Sequence, residues 1–305
     1  MGRVISVFTE KGGVGKTTTT LVLAHGFSCI NSKSVLLLDF DETPLLSEVV
    51  MGRRHFLEDI RDDSRISEYI CQHIWEGDVD PMLFIRQWEG GLKTTKGQAA
   101  NLSIIPGYNK LQNTENILIG HLISGHFVAS TEEAHNKVTY GVKRAILPLI
   151  DHFDYILIDA PPRMTHFTRG AIDISDLVIT PYEPGVGAEA ILSKTAKQIE
   201  GTNNGAAVLA MPFESRRYVA LPNKIKAGGA YGHNDRIELL KQDHPHLNIT
   251  LKERGPVTAL LQSMTAGTHP TMQEHYGSLF SLAKKLCHAV ETHLAERTMV
   301  TEAAA

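Results

Sequence analysis

The segment Lys11-Gly12-Gly13-Val14-Gly15-Lys16-Thr17-Thr18 follows directly on an apolar, β-branched run, Val4-Ile5-Ser6-Val7-Phe8, and leads into a helix-compatible stretch, Thr17 to Ile30. A strand that turns through glycines and at once opens a helix leaves the fold few options. The glycines let consecutive backbone N–H groups point inward as an anion nest, and the helix N-terminus adds the positive end of its dipole. Such a loop cradles phosphates, with Lys16 reaching the β- and γ-phosphates and the Thr17 hydroxyl ligating Mg2+. The standard spacing G-x-x-x-x-G-K-[ST] puts its first glycine at Glu10, and an additional lysine, Lys11, stands at the loop entrance.

Further apolar runs recur along the chain. Ser34 to Asp39, Leu102 to Ile105, Tyr155 to Asp159, Leu177 to Thr180 and Ala206 to Met211 read as strands, with Leu247 to Leu251 a weaker candidate. Several are near-continuously apolar, as strands buried on both faces of a parallel sheet are. Helical patterns at Glu132 to Leu149, Gly187 to Glu200 and Met272 to Ala295 alternate with them. The expectation is an α/β fold: a doubly wound, mostly parallel sheet flanked by helices. One domain over residues 1–296 is expected, with an inserted region of helices and loops at about 45–101 and a flexible tail at 297–305.

A phosphate loop needs acids to hold the metal and orient water. Val35-Leu36-Leu37-Leu38-Asp39-Phe40-Asp41 ends in two, and Tyr155-Ile156-Leu157-Ile158-Asp159 in one. Ligands of an open parallel sheet sit beyond the carboxyl ends of its strands, so all three acids can face the loop's crevice.

The formal net charge of -4 excludes a whole-chain basic field, so contact with nucleic acid needs a local patch. Cys29, Cys71 and Cys287 are too scattered for a disulfide framework or a cysteine metal site. His244 and His246, in Asp243-His244-Pro245-His246, read as surface histidines in a loop rather than metal ligands. The sequence shows neither a signal peptide nor an apolar run long enough for a membrane span, and a cytoplasmic protein is expected.

With the loop Lys11 to Thr18, the block Val35 to Asp41 and the block Tyr155 to Pro162, the sequence resembles the ParA/MinD family of deviant Walker-type ATPases. Weaker agreement runs through Asn101 to Gly107, Leu111, Glu115, Asp176 to Glu183 and Pro256 to Pro270. The resemblance implies a P-loop NTPase that binds ATP and Mg2+ and forms a homodimer around two nucleotides. It implies that residues Gly12, Gly13, Val14, Gly15, Lys16, Thr17 and Thr18 hold the nucleotide. Lys11 would cross to the partner's nucleotide in an arginine-finger-like role. Thr17, and through water Asp39 and Asp159, would hold Mg2+, and Asp41 would position the attacking water. Two departures stand out: Asp41-Glu42-Thr43-Pro44-Leu45 replaces the common text D-P-Q-G-N, and Met211-Pro212-Phe213-Glu214 lacks the asparagine that many relatives use on adenine.

Within the family the sequence fits a ParA-like partition ATPase best. Such a protein binds DNA without sequence preference in its ATP state and meets a ParB-like or other cargo-bound adaptor. It would associate with the nucleoid when ATP-bound. Arg216, Arg217, Lys252 and Arg254 lie near where relatives carry DNA-contacting basic residues, with Lys224 and Lys226 close by. Each alone reads as a solvated surface charge; as a cluster they make a patch. A MinD-like membrane ATPase is the alternative, but the last helix has mixed charge and an apolar stripe suited to core packing. A non-hydrolysing nucleotide-dependent interaction module is the second alternative.

Overall fold

The computed structural model describes residues 2–51, 56–57, 65–77, 79–87, 100–107, 110–225, 232–252 and 277–304. Arg254 and Lys226 lie outside the described residues, as does Pro256 to Pro270.

The strands are β1 (Arg3–Val7), β2 (Val35–Asp39), β3 (Arg86–Gln87), β4 (Leu102–Ile105), β5 (Tyr155–Asp159), β6 (Leu177–Tyr182) and β7 (Tyr218–Pro222). They form one sheet in the order β3-β4-β2-β5-β1-β6-β7. Every pairing is parallel except that of β3 with β4. The apolar runs alternate between two cores. Ile5, Val7, Leu37, Leu157 and Ile179 face a layer formed by α1 (Lys16–His25), α2 (Leu45–Met51) and α10 (Gly277–Ala304). Val4, Leu36, Leu38, Ile156 and Ile158 face the other layer: α3 (Ile66–Trp75), α4 (Leu111–Ser124), α5 (Thr131–Ile146) and α6 (His166–Ile174). Helices on both faces make the sheet doubly wound, and the absence of polar alternation in its strands follows from that.

Local chemistry explains the boundaries. α5 starts where the Ser130 hydroxyl accepts from Glu133 N–H and the Glu133 carboxylate reaches back to Ala129 N–H, a reciprocal cap. It gives way at Pro148 to a short 3-10 turn, Leu147–Asp151.

The structure corrects two strand expectations. Ala206 to Met211 is not a strand: α8 (Gly205–Ala210) covers it, capped by the Asn204 side chain accepting from Ala207 N–H. Its alanines favour helix, and the cap decides the matter. The outer strand is instead β7, followed by α9 (His233–Leu240); Leu247 to Leu251 is not a strand, and isolated parallel bridges flank it, His246 to Ala220 and Lys252 to Ile225. At the C-terminus α10 continues past Arg297 to Ala304, where the sequence suggests a loose tail.

Candidate nucleotide site

The phosphate loop joins the carboxyl end of β1 to α1, in the middle of the sheet. Gly13 and Gly15 hold φ of 73° and 92°, in the left-handed region that side chains disfavour, and Gly15 caps α1. From the end of β7, Asn223 Nδ2 donates to Val14 O at 2.7 Å, so the outer strand buttresses the loop from below. A Cβ on Gly15 would stand 2.3 Å from that same Nδ2. Glu10, where the standard pattern has glycine, turns away from the loop: its carboxylate pairs with Lys194 at 2.6 Å and accepts from Gln198, both on α7 (Ala188–Glu200).

The two lysines differ sharply. Lys16 is 7% exposed; burial pushes its pKa down, while the nearby Asp159 and Asp41 carboxylates push it up. Lys11 is exposed and makes no hydrogen bond or ion pair among the described residues. Gly12 and Gly13 are also exposed, so the loop presents its backbone outward.

Asp39 and Asp159 are register partners on β2 and β5, and both side chains are fully buried. The structure divides these two acids, which the sequence treats alike. Asp39 Oδ2 accepts from Ser47 N–H at 2.9 Å and from the Ser47 hydroxyl at 2.6 Å, and Oδ1 accepts from Asp41 N–H at 3.2 Å. Burial nonetheless pushes its pKa up to about 7. Neither oxygen of Asp159 has a hydrogen-bond partner among the described residues. The Thr17 hydroxyl lies near enough to ease its ionisation but not in hydrogen-bonding geometry; burial, then the Asp39 charge, raises its pKa well above the usual carboxylate range. A buried carboxylate with both oxygens unanswered, beside a hydroxyl, offers the oxygen ligands that a hard cation takes. Asp159 and Thr17 therefore fit Mg2+, while Asp39 is largely engaged by the chain itself.

Two contacts brace the segments that carry the acids. Glu42 pairs with Arg163, bridging the segments that follow Asp41 and Asp159. Thus Glu42, which departs from the family's text, has a partner of its own. Glu115, buried on α4, accepts from the His166 and Phe167 N–H groups and holds the segment after Asp159 at the start of α6.

The expected basic patch does not survive as drawn. Arg216 is 1% exposed, and its guanidinium donates to the carbonyls of Leu209, Met211 and Asp243 and lies over the Phe213 ring. It ties α8 to the turn before β7 and has no face left for a phosphate. Arg217 is half-buried and pairs with Asp173 and Glu200. Lys252 is exposed. His244 and His246 are not surface histidines either. His244 is 1% exposed and bonds the Tyr218 hydroxyl, His246 bonds the Tyr182 hydroxyl, and burial keeps both imidazoles below their ordinary pKa. Among the described residues no group of His, Cys, Asp and Glu suits a metal on its own, and no helix is long and apolar enough to cross a membrane.

Sequence reasoning missed Asn223, Ser47, Glu115 as an anchor, and the Glu42–Arg163 pair. Asn223 was hidden by the misplaced last strand: once β7 is known, an asparagine does stand at its carboxyl end. Ser47 could have been found as the hydroxyl in the first turn of the helix after Asp41, where N–H groups need an acceptor.

The sequence profile of an AAA domain family matches residues 2–206. Soj, the sporulation initiation inhibitor of Bacillus subtilis, is 29% identical over 60% of this chain and 59% of its own length. An uncharacterized Pseudomonas putida protein is 28% identical over 60% of this chain and 57% of its own, so the chain matches less than two thirds of these relatives. The Myxococcus xanthus chromosome partitioning protein ParA is 26% identical over 72% of this chain and 68% of its own. Among solved structures, a Borrelia burgdorferi B31 protein assigned to plasmid partition, bound to AMPPNP, has a TM-score of 0.68 at 19% identity, covering 96% of this chain and 99% of that one. Cobyrinic acid a,c-diamide synthase of Mycobacterium smegmatis, bound to an ATP analogue and magnesium, has a TM-score of 0.56 at 20% identity, covering 91% and 97%. With a profile spanning most of the chain, these relatives and this sheet, the chain belongs to the ParA/MinD family of P-loop ATPases.

Proposed function

We propose that this chain is a ParA-like ATPase. It binds ATP and Mg2+, dimerises in that state, binds DNA without sequence preference, and positions a cargo until an adaptor of the ParB type triggers hydrolysis. The observation that carries the reading is the contrast between the two lysines: Lys16 buried near acids, and Lys11 exposed at the mouth of the same loop with no hydrogen bond or ion pair among the described residues. A cation inside the loop serves its own nucleotide; one pointing outward is available to a second copy.

In this reading the backbone N–H groups from Gly12 to Thr18 and the α1 N-terminus hold the phosphates. Lys16 neutralises the β- and γ-phosphates. Thr17 and Asp159 hold Mg2+, which when bound offsets phosphate charge. Asp41, half-buried at the edge of the crevice, orients water for in-line attack, and Lys11 of the opposing copy stabilises charge developing on the transferred phosphoryl group. DNA contact falls to exposed lysines such as Lys252 rather than to Arg216 and Arg217.

The test is retention of generic duplex DNA by the purified protein in ATP, ADP and no nucleotide, at two salt concentrations, with phosphate release measured in parallel. ATP-dependent, salt-sensitive retention and slow turnover are expected. Retention on anionic vesicles instead of DNA supports the MinD-like reading, and absence of turnover under every condition supports a non-hydrolysing module.

A further inference from the structure

The acid that orients water is useful only where it stands relative to the phosphate loop, and what fixes Asp41 lies in the core. Gly107 N–H donates to Ser47 Oγ at 2.8 Å, Ser47 Oγ donates to Asp39 Oδ2, and Asp39 Oδ1 accepts from Asp41 N–H. Ser47 and Asp39 are both 0% exposed. Asp41 Oδ1 in turn accepts from Thr43 N–H at 2.9 Å, so the acid's own orientation is set locally once its backbone is held. The chain of contacts ties the ends of β4 and β2 and the first turn of α2 into one node. It is closely packed: a Cβ on Gly107 would meet Asp39 Cγ at 2.8 Å and Asp39 O at 2.9 Å.

We propose that Ser47 is a positioning residue. By holding Asp39 against Gly107 it fixes the segment that carries Asp41 over the crevice, and it engages Asp39 so that Asp159 is the acid left open to the cation. This rests on the role given to Asp41 above. A serine suits the place for a physical reason. Its hydroxyl donates to the carboxylate while its lone pair answers a buried N–H, and its own N–H, unanswered within the first turn of α2, donates to the same Asp39 oxygen. Alanine keeps the last contact and loses the first two. Threonine keeps all three.

Compare the full chain with Ser47→Ala, Ser47→Thr and Ser47→Cys by hydrogen exchange, binding of a fluorescent non-hydrolysable ATP analogue, and phosphate release at saturating ATP. Loss of a hydrogen bond to a buried carboxylate corresponds to about tenfold or more in the opening equilibrium of the segment it holds. Ser47→Ala is therefore expected to speed exchange at Asp41 and Gly107 by about that factor, to lower turnover per folded molecule similarly, and to leave analogue affinity nearly unchanged. Ser47→Thr restores both. A merely structural serine would lower the melting temperature and leave exchange at Asp41 and turnover per folded molecule alone; that result overturns the proposal. Ser47→Cys keeps the volume with a weak hydrogen-bonding group and decides the matter if alanine fails to fold. A wild-type protein without turnover rejects the ATPase reading, whereas exchange at Asp41 still judges Ser47.

Discussion

Replacing Asp159 with asparagine removes the charge from a buried carboxylate that has no hydrogen-bond partner among the described residues and faces Asp39 across adjacent strands. Neighbouring strands lie about 4.8 Å apart, and two unit charges at that distance with an effective dielectric of about 20 repel by about 3 kcal/mol. The carboxylates escape part of this by holding protons, as the upward shifts of both pKa values indicate. Asp159→Asn is thus expected to stabilise the nucleotide-free protein by roughly 1–3 kcal/mol at pH 8, a rise in Tm of roughly 2–8 °C. The sign follows from linkage. An acid whose folded pKa is raised contributes stability that is full below its unfolded value and is lost as pH rises through the folded one. For Asp39 that window runs from the ordinary aspartate value of 3.8 up to about 7. Wild-type stability should fall across it, and the advantage of the asparagine variant should grow with pH and vanish in acid, where the carboxylic acid and the amide are both neutral. The assay is thermal unfolding between pH 4 and 8, without nucleotide and then with ATP and Mg2+. The variant should gain without ligand and lose the stabilisation that ATP and Mg2+ give the wild type. A variant equal to or less stable than wild type at pH 8 without Mg2+ would refute the reasoning.

Other outcomes separate structural from functional residues. Arg216→Ala strips a buried guanidinium from several carbonyls and should cost about 3–5 kcal/mol in denaturant melts. Lys252→Ala should leave stability unchanged and weaken DNA retention with a shallower salt slope. Gly15→Ala forces a side chain into φ 92° and against Asn223 and should abolish nucleotide binding, read by analogue titration. Lys11→Ala should keep analogue affinity and lose turnover; retained turnover removes its role across the dimer. Glu42→Gln breaks an exposed ion pair and should cost less than about 1 kcal/mol in stability, so a large change in turnover would point to the loop link rather than to folding.

The sheet was legible because its strands are buried on both faces and carry continuous apolar runs, and the loop because three glycines and two lysines after a strand admit little else. The errors have identifiable causes. Ala206 to Met211 is apolar enough for a strand, but the Asn204 cap and the alanines make it α8. β7 is short, begins just after two arginines and ends in a proline, Pro222, so it lacks the usual signature. Arg216 reads as a surface charge because sequence shows its charge and not the carbonyls that surround it. The equivalence of Asp39 and Asp159 is broken by the Asp41 N–H and above all by Ser47, eight positions on, and such side-chain hydrogen bonds leave no periodic trace.

In the proposed mechanism the phosphate loop recruits a second copy when ATP fills it. The most direct measurement is the mass of the purified protein in solution by light scattering, with Mg2+ throughout, in no nucleotide, ADP and ATP. The mass should be that of one chain without nucleotide and in ADP, and of two chains in ATP, with the dimer persisting in Asp41→Ala and absent in Lys16→Ala. The same mass in all three conditions, or a dimer that forms equally well in Lys16→Ala, would contradict the proposed mechanism.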